Sequence, residues 1–263
     1  MTLVTRIDRP GAAPPPGVSD GEWAARLDLA AAYRLAGRFG WHDLLGNHLS
    51  VRVPGTADQY LVNPWGFFFE EITASTLVKV DIRGNVLSDS PHGLNPAADV
   101  IHAAVYAARP DIASVMHLHS VAGTGVASQT GGLLPISQSA LLIMHRVRYH
   151  DFEGAAIDPG ERARLVEALG DGSVLFLRNH GTLTAGRTLG EAFALLARVE
   201  RACAIQLAAQ SGGAINPLPD AVIARTIAQG RAIYRDDGPS PGAQVEWAAF
   251  RRKIDREDPG YAQ

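Results

Sequence analysis

The sequence predicts an α/β fold, with helices packed against a central mixed β-sheet. Three observations carry that prediction. Helical and strand-like periodicities alternate along the 263 residues. No composition shift or internal repeat splits the chain into further domains. The apolar run "VLFLR" leads into a polar bend and a second short strand, as a buried hairpin does.

Composition sets the outer limits. Hydrophobic residues make up 46% and charged residues 19%, as in an ordinary globular protein. A net charge of −3 provides no field to recruit nucleic acid or an anionic membrane surface. No apolar run is long enough to cross a bilayer, and "MTLVTRIDRPGAAPPPGVSD" lacks the apolar stretch of a secretory signal. The single cysteine, Cys203, excludes an internal disulfide framework, and a cytoplasmic location is expected. Residues 1–19, rich in proline and glycine, read as a mobile arm, 20–237 as the α/β domain, and 238–263 as a helical extension.

The elements follow in order. Ser19 or Asp20 caps a helix through "GEWAARLDLAAAYRLAGRFG", whose apolar residues recur at helical spacing before Gly37 and Gly40 end it. "HLSVRV", "QYLVN" and "LVKVDI" read as strands, the last entering the turn "RGNV". "NPAADVIHAAVYAARPD" is a helix stopped at Pro110. "IASVMHLH" is a strand, the small-residue stretch "SVAGTGVASQTGG" follows, and "LLPIS", "ALLIMH" and "HRVRYHDF" are of strand size. "DPGERARLVEALGDG" is a helix opened by proline and closed by glycine. "SVLFLRNHGTLTAG" is two strands around a bend, and "TLGEAFALLARVERACAIQLAAQSGG" is a long helix. Two more helical patterns complete the chain.

On a strand, residues i and i+2 face the same way, so His117 and His119 project side by side. A third imidazole would complete a three-histidine face for one cation. His180 is the candidate, because it follows a buried strand directly, where α/β sheets place ligands. Three imidazoles with an open position suit zinc, and also manganese, iron or cobalt, in Lewis-acid chemistry. His102 reads as a core histidine on an apolar helix face, and His48 as a strand-start residue.

These segments resemble the class II aldolase/adducin family from Ala24 to Ala209, through "AYRLAGRFGW", "GNHLSVRVPG", "EITASTLVKVDIRGNV", "NPAADVIHAAVYAARPDIASVMHLHS", "YHDFEG" and "LFLRNHGTLTAGRTLGEAFALLARVERACAIQ". The resemblance implies a three-layer α/β/α sandwich around a mixed sheet and a homotetramer with sites between subunits. It also implies that His117, His119 and His180 bind a divalent metal, and that Asn47, Trp65 and Gly66 stand where the family binds substrate.

Two departures shape the expected chemistry. The family aldolases carry Ser-Ser-Glu where this chain has Pro96, Ala97 and Ala98, so the acid/base glutamate is alanine. Asp99 is one residue on, turned by about 100° around the helix. Trp65 also replaces a hydroxyl residue before Gly66, so a phosphate loses side-chain donors. Trp65 with Phe67, Phe68 and Phe69 can line an apolar pocket, although at least two of the phenylalanines read as core.

The expected function is therefore a metal-dependent lyase for a non-phosphorylated hydroxy-carbonyl or hydroxy-carboxylate small molecule, by retro-aldol cleavage or decarboxylation through a stabilised enediolate. Tyr149 and His150 are the candidate proton donors. The alternatives are an adducin-like metal-binding scaffold without catalysis, and a sugar-phosphate aldolase or epimerase.

Overall fold

The computed structural model describes residues 13–154, 158, 160–235 and 240–263. Most of the expected N-terminal arm, Pro159 and the boundary at 237/238 lie outside the described residues. Seven strands form one sheet: β1 (His48–Arg52), β2 (Gln59–Val62), β3 (Val78–Asp81), β4 (Ser114–Leu118), β5 (Val147–His150), β6 (Val174–Leu177) and β7 (Gly181–Gly186). Their spatial order is β3-β2-β1-β4-β7-β6-β5. Neighbours pair antiparallel except β5 and β6, so the sheet is mixed, as expected.

Strand alternation divides the sheet into two apolar faces. Met116 and Leu118 pack with α1 (Asp20–Arg38), α6 (Leu189–Ser211) and α8 (Pro241–Glu257). Val174 and Phe176 extend that side beneath α3 (Val121–Ala127) and α4 (Gln138–Ile143), and α7 (Asp220–Ile233) packs onto α4. On the other face, Val115, Leu175 and Leu183 meet α2 (Pro96–Ala108) and α5 (Glu161–Leu169). The result is a three-layer α/β/α sandwich.

Capping chemistry explains the helix starts. Ser19 accepts the Glu22 N–H at 3.1 Å, and Asn95 accepts the Ala97 N–H at 3.0 Å. Two stretches differ from the sequence reading for the same reason. The Ser120 hydroxyl accepts from the Gly123 N–H and opens a helix, α3, in the small-residue stretch. Pro135 has no N–H for a ladder, so "LLPIS" is not a strand, and Ser137 caps α4 in what reads as the strand-sized "ALLIMH". The C-terminal extension joins the α1–α6 core through Ile254 and Tyr261, with Trp247 and Phe250 against Phe193.

One hydroxyl ties α1 to the two strands beneath it. Tyr33 Oη, fully buried, accepts the N–H groups of Leu49 at 2.7 Å and Asn63 at 3.2 Å. Tyr33→Phe leaves both donors buried without this partner, so unfolding in urea should show a loss of about 1–3 kcal/mol. Wild-type stability in that variant would show that water replaces the hydroxyl.

Candidate metal centre

His117 lies in β4, and His119 stands just beyond the strand's last residue, Leu118. His180 comes from the tight turn between β6 and β7, closed by its N–H to the Leu177 carbonyl at 3.0 Å. Asn179 in that turn has φ +58°, a conformation that asparagine tolerates. A Cβ on the next residue, Gly181, would sit 2.3 Å from the Leu118 carbonyl oxygen. Only glycine lets the hairpin come this close to the end of β4, and the approach carries His180 to the other two histidines.

One donor atom from each of the three imidazoles lies within 4.8 Å of the others. His117 Nδ1 is 3.0 Å from the Thr182 carbonyl, which can only accept, so Nδ1 carries the proton and Nε2 presents a lone pair. That Nε2 is 2.8 Å from His119 Nε2. His119 Nδ1 in turn faces Asp43 Oδ2 at 3.6 Å, an ion-pair distance too long for a hydrogen bond. Outer nitrogens facing oxygens and inner nitrogens converging is how metal-ligating histidines are oriented.

Electrostatics hold the three rings neutral. Burial, reinforced by the neighbouring imidazoles, keeps His117 well below the ordinary histidine range. Burial also lowers His119, against an opposing pull from Asp43, and lowers His180 to about 4. A neutral imidazole is the ligating form, so the donor set fits a divalent cation without further proton release.

Behind the triad lies a polar group that the sequence did not single out. His48 faces His117 across the β1–β4 ladder and is fully buried, with His102 of α2 2.6 Å from its Nδ1. The alternation of His48 and Ser50 on β1, matching His117 and Val115 on β4, is the signal that could have found it. Asp43, in a loop, left no comparable signal.

The residue-27–207 segment matches the family model described as "Class II Aldolase and Adducin N-terminal domain". The chain belongs to this family. It is 46% identical over 250 residues to a Caulobacter vibrioides protein named for the class 2 aldolases, covering 93% of this chain and 94% of that one. Alpha-adducin of Rattus norvegicus is 38% identical over 246 residues, which is 89% of this chain and 33% of adducin. A crystal structure of an aldolase II superfamily protein from Pseudomonas syringae superposes with a TM-score of 0.88 at 46% identity, covering 94% of this chain and 98% of that one.

Against the class II aldolase pattern, Ala98 is fully buried and brings no carboxylate to the triad. Asp99 turns away, as expected, and binds Arg162 at 2.6 Å. Asn47 is buried beside the site, its Oδ1 accepting the Asp43 N–H, while Nδ2 has no partner among the described residues. Trp65, half exposed, and Gly66, at φ +90°, follow β2 at the same end of the sheet, where the Trp65 N–H bonds the Gly93 carbonyl. Phe69 is buried and Phe67 packs against the core, leaving Phe68 exposed.

The two candidate proton donors part company. His150 ends β5 at the triad's end of the sheet, but its Nε2 faces Glu161 Oε1 at 3.2 Å. Tyr149 points to the opposite layer, stacks on Phe176, and accepts the Leu133 N–H at 3.0 Å. A separate cavity of about 490 Å³ lined by Arg109, Arg146 and Arg148 sits at the other end of the sheet. Those cations face Asp111, Glu191 and Asp171 respectively.

The depressed histidines fix a pH dependence. His180 titrates near 4 and His102 near 3 when folded, while unfolded histidine titrates near 6.5. The unfolded chain therefore binds more protons below that value, and metal-free stability should fall as pH drops from about 6.5 toward 4. Urea midpoints at pH 8, 6 and 5 test this, and equal midpoints would contradict neutral buried imidazoles.

Proposed function

We propose that this protein is a divalent-metal-dependent carbon–carbon lyase acting on a non-phosphorylated hydroxy-carbonyl or hydroxy-carboxylate. The convergence of three neutral imidazoles at one end of the sheet carries this reading. His117, His119 and His180 would hold the cation, with the Thr182 carbonyl fixing the His117 ring and the Asp43 carboxylate facing that of His119. A bound divalent cation supplies Lewis acidity, drawing negative charge from adjacent substrate oxygens as the bond breaks. Zinc, manganese, iron and cobalt all suit the donor set.

The first turn of α2 argues against a phosphorylated substrate. Pro96 has no N–H, the Asn95 side chain takes the Ala97 N–H, and the Asn95 carbonyl takes those of Ala98 and Asp99. A phosphate would meet neither side-chain hydroxyls nor free amides there. Asn47 Nδ2, by contrast, is a buried donor beside the triad and suits a substrate oxygen. Decarboxylation fits the absent glutamate, because breaking that bond removes no proton from carbon. His150 is placed to return a proton if Glu161 releases its ring; Tyr149 would need its hydroxyl freed and brought to another site.

We place the site between subunits of a homotetramer in the cytoplasm. Val121, 89% exposed just beyond His119, and Leu44, 72% exposed in the loop beside it, are apolar groups at the site's rim that a neighbouring subunit would cover. Among the described residues no helix is long and apolar enough to cross a membrane.

A second reading has its own support. Fully buried Ala98 together with 38% identity to alpha-adducin favours a metal-binding scaffold that has shed catalysis. Elemental analysis of the purified protein beside a His117→Ala/His119→Ala variant separates the cases. The lyase reading expects about one transition metal per chain, lost in the variant, and thermal stabilisation by a hydroxy acid but not by a ketose phosphate. No metal in the wild type would sink both readings; metal with no ligand response would favour the scaffold.

A further inference from the structure

His48 is joined to a buried chain of polar groups. Its Nδ1 faces His102 Nε2 at 2.6 Å, His102 Nδ1 is bonded to Ser50 Oγ, and Ser50 Oγ lies 2.8 Å from the Tyr106 hydroxyl. His48, Ser50, His102 and Tyr106 are all buried. Each link needs one proton, and two relays supply them. In one, His48 Nδ1 donates to His102 Nε2, His102 Nδ1 to Ser50, and Ser50 to the Val115 carbonyl at 3.3 Å. In the other, Tyr106 donates to Ser50, Ser50 to His102 Nδ1, and His102 Nε2 to His48 Nδ1, which leaves the proton of His48 on Nε2.

That Nε2 is buried and has no partner among the described residues. Such groups are rare and costly, and each calls for an explanation. The ring is 5.1 Å from His117 between centroids and opposes it across the ladder. Ala98 and His102 are one turn apart on the same side of α2, so the imidazole pair takes up the helix face where alanine brings no polar atom. The neighbouring Asn47 Nδ2 is a second buried, unpartnered donor in the same segment. With the His48 proton on Nε2, His48 and Asn47 are successive residues with orphaned donors next to three converging imidazoles, which suits an anionic oxygen.

We propose that His48, held in place by His102, donates a hydrogen bond from Nε2 to a carboxylate oxygen of the ligand bound at the triad. This rests on the metal-dependent reading of the triad. His48 thereby provides a polar contact to a small carboxylate from β1, where α2 offers none. It selects an anionic oxygen acceptor of carboxylate size over a neutral sugar carbonyl.

The test uses the full chain loaded with zinc and oxalate as the probe. Calorimetry measures zinc affinity and then oxalate affinity in wild type, His48→Phe and His48→Gln. Both variants should keep zinc within about threefold, while His48→Phe binds oxalate about 10- to 100-fold more weakly, as expected for loss of a hydrogen bond to a charged group. A purely structural His48 lowers the Tm but leaves the oxalate constant unchanged, and that result overturns the proposal. So does a zinc-loaded wild type that does not bind oxalate. Wild type that takes up no zinc removes the metal reading and this proposal together. Should the variants fail to fold, imidazole ¹⁵N–¹H spectra of the wild type decide. The His48 proton should be found on Nε2 and should shift when oxalate binds; an Nδ1 proton, or no response to bound oxalate, overturns the proposal.

Discussion

The antiparallel ladder between β4 and β7 is the constraint on which the site depends. It sets Leu118 opposite Thr182, which places the Thr182 carbonyl to fix the His117 ring and brings Gly181 against the Leu118 carbonyl. A side chain at 181 would force the strands apart at that point. The turn carrying His180 would then move off the end of β4, and the three imidazoles would no longer converge. Backbone pairing thus does what no contact among the histidines could do alone, because three neutral rings have little intrinsic attraction.

The second determinant is the burial of polar groups on the α2–α5 face of the sheet. His48, Ser50, His102 and Tyr106 interrupt an otherwise apolar core of Val62, Val115, Ile101 and Val105. Polar chains of this kind are tolerated only when their links are satisfied, and here each internal link is. Only the outermost nitrogen, next to the triad, is left over. The chain from Tyr106 to His48 is therefore closed internally and open at the nitrogen that borders the site, which is how a scaffold holds a ligand-facing group rigid.

The first turn of α2 shows how a family site changes without changing the fold. Pro96, Ala97 and Ala98 are good residues for starting a helix beneath an Asn cap, and the helix keeps its packing through Ile101 and Val105. With Pro96, Ala97 and Ala98 there, this turn offers no side-chain hydroxyl or carboxylate to bind a phosphate or move a proton. Ala98 shares the buried stripe of Ile101 and Val105, so the position that brings no carboxylate to the triad packs into the core instead.

The sequence by itself determined the fold class, most element positions and the pairing of His117 with His119, because strand and helix periodicities are local properties of the chain. Ser19, one of two cap candidates, marked the first helix start for the same reason. α3 and α4 were not legible, since short runs of small or mixed apolar residues have no period of their own and take the form their serine caps and packing impose. His180 stood out by its place directly after a buried strand, and the resemblance supplied the missing glutamate. Tertiary structure alone decided that Tyr149 faces the opposite layer, that His150 is engaged by Glu161, and that His48 joins the triad's neighbourhood. Those facts depend on strand register and on which helix covers which face, and these are set by contacts between residues far apart in the chain.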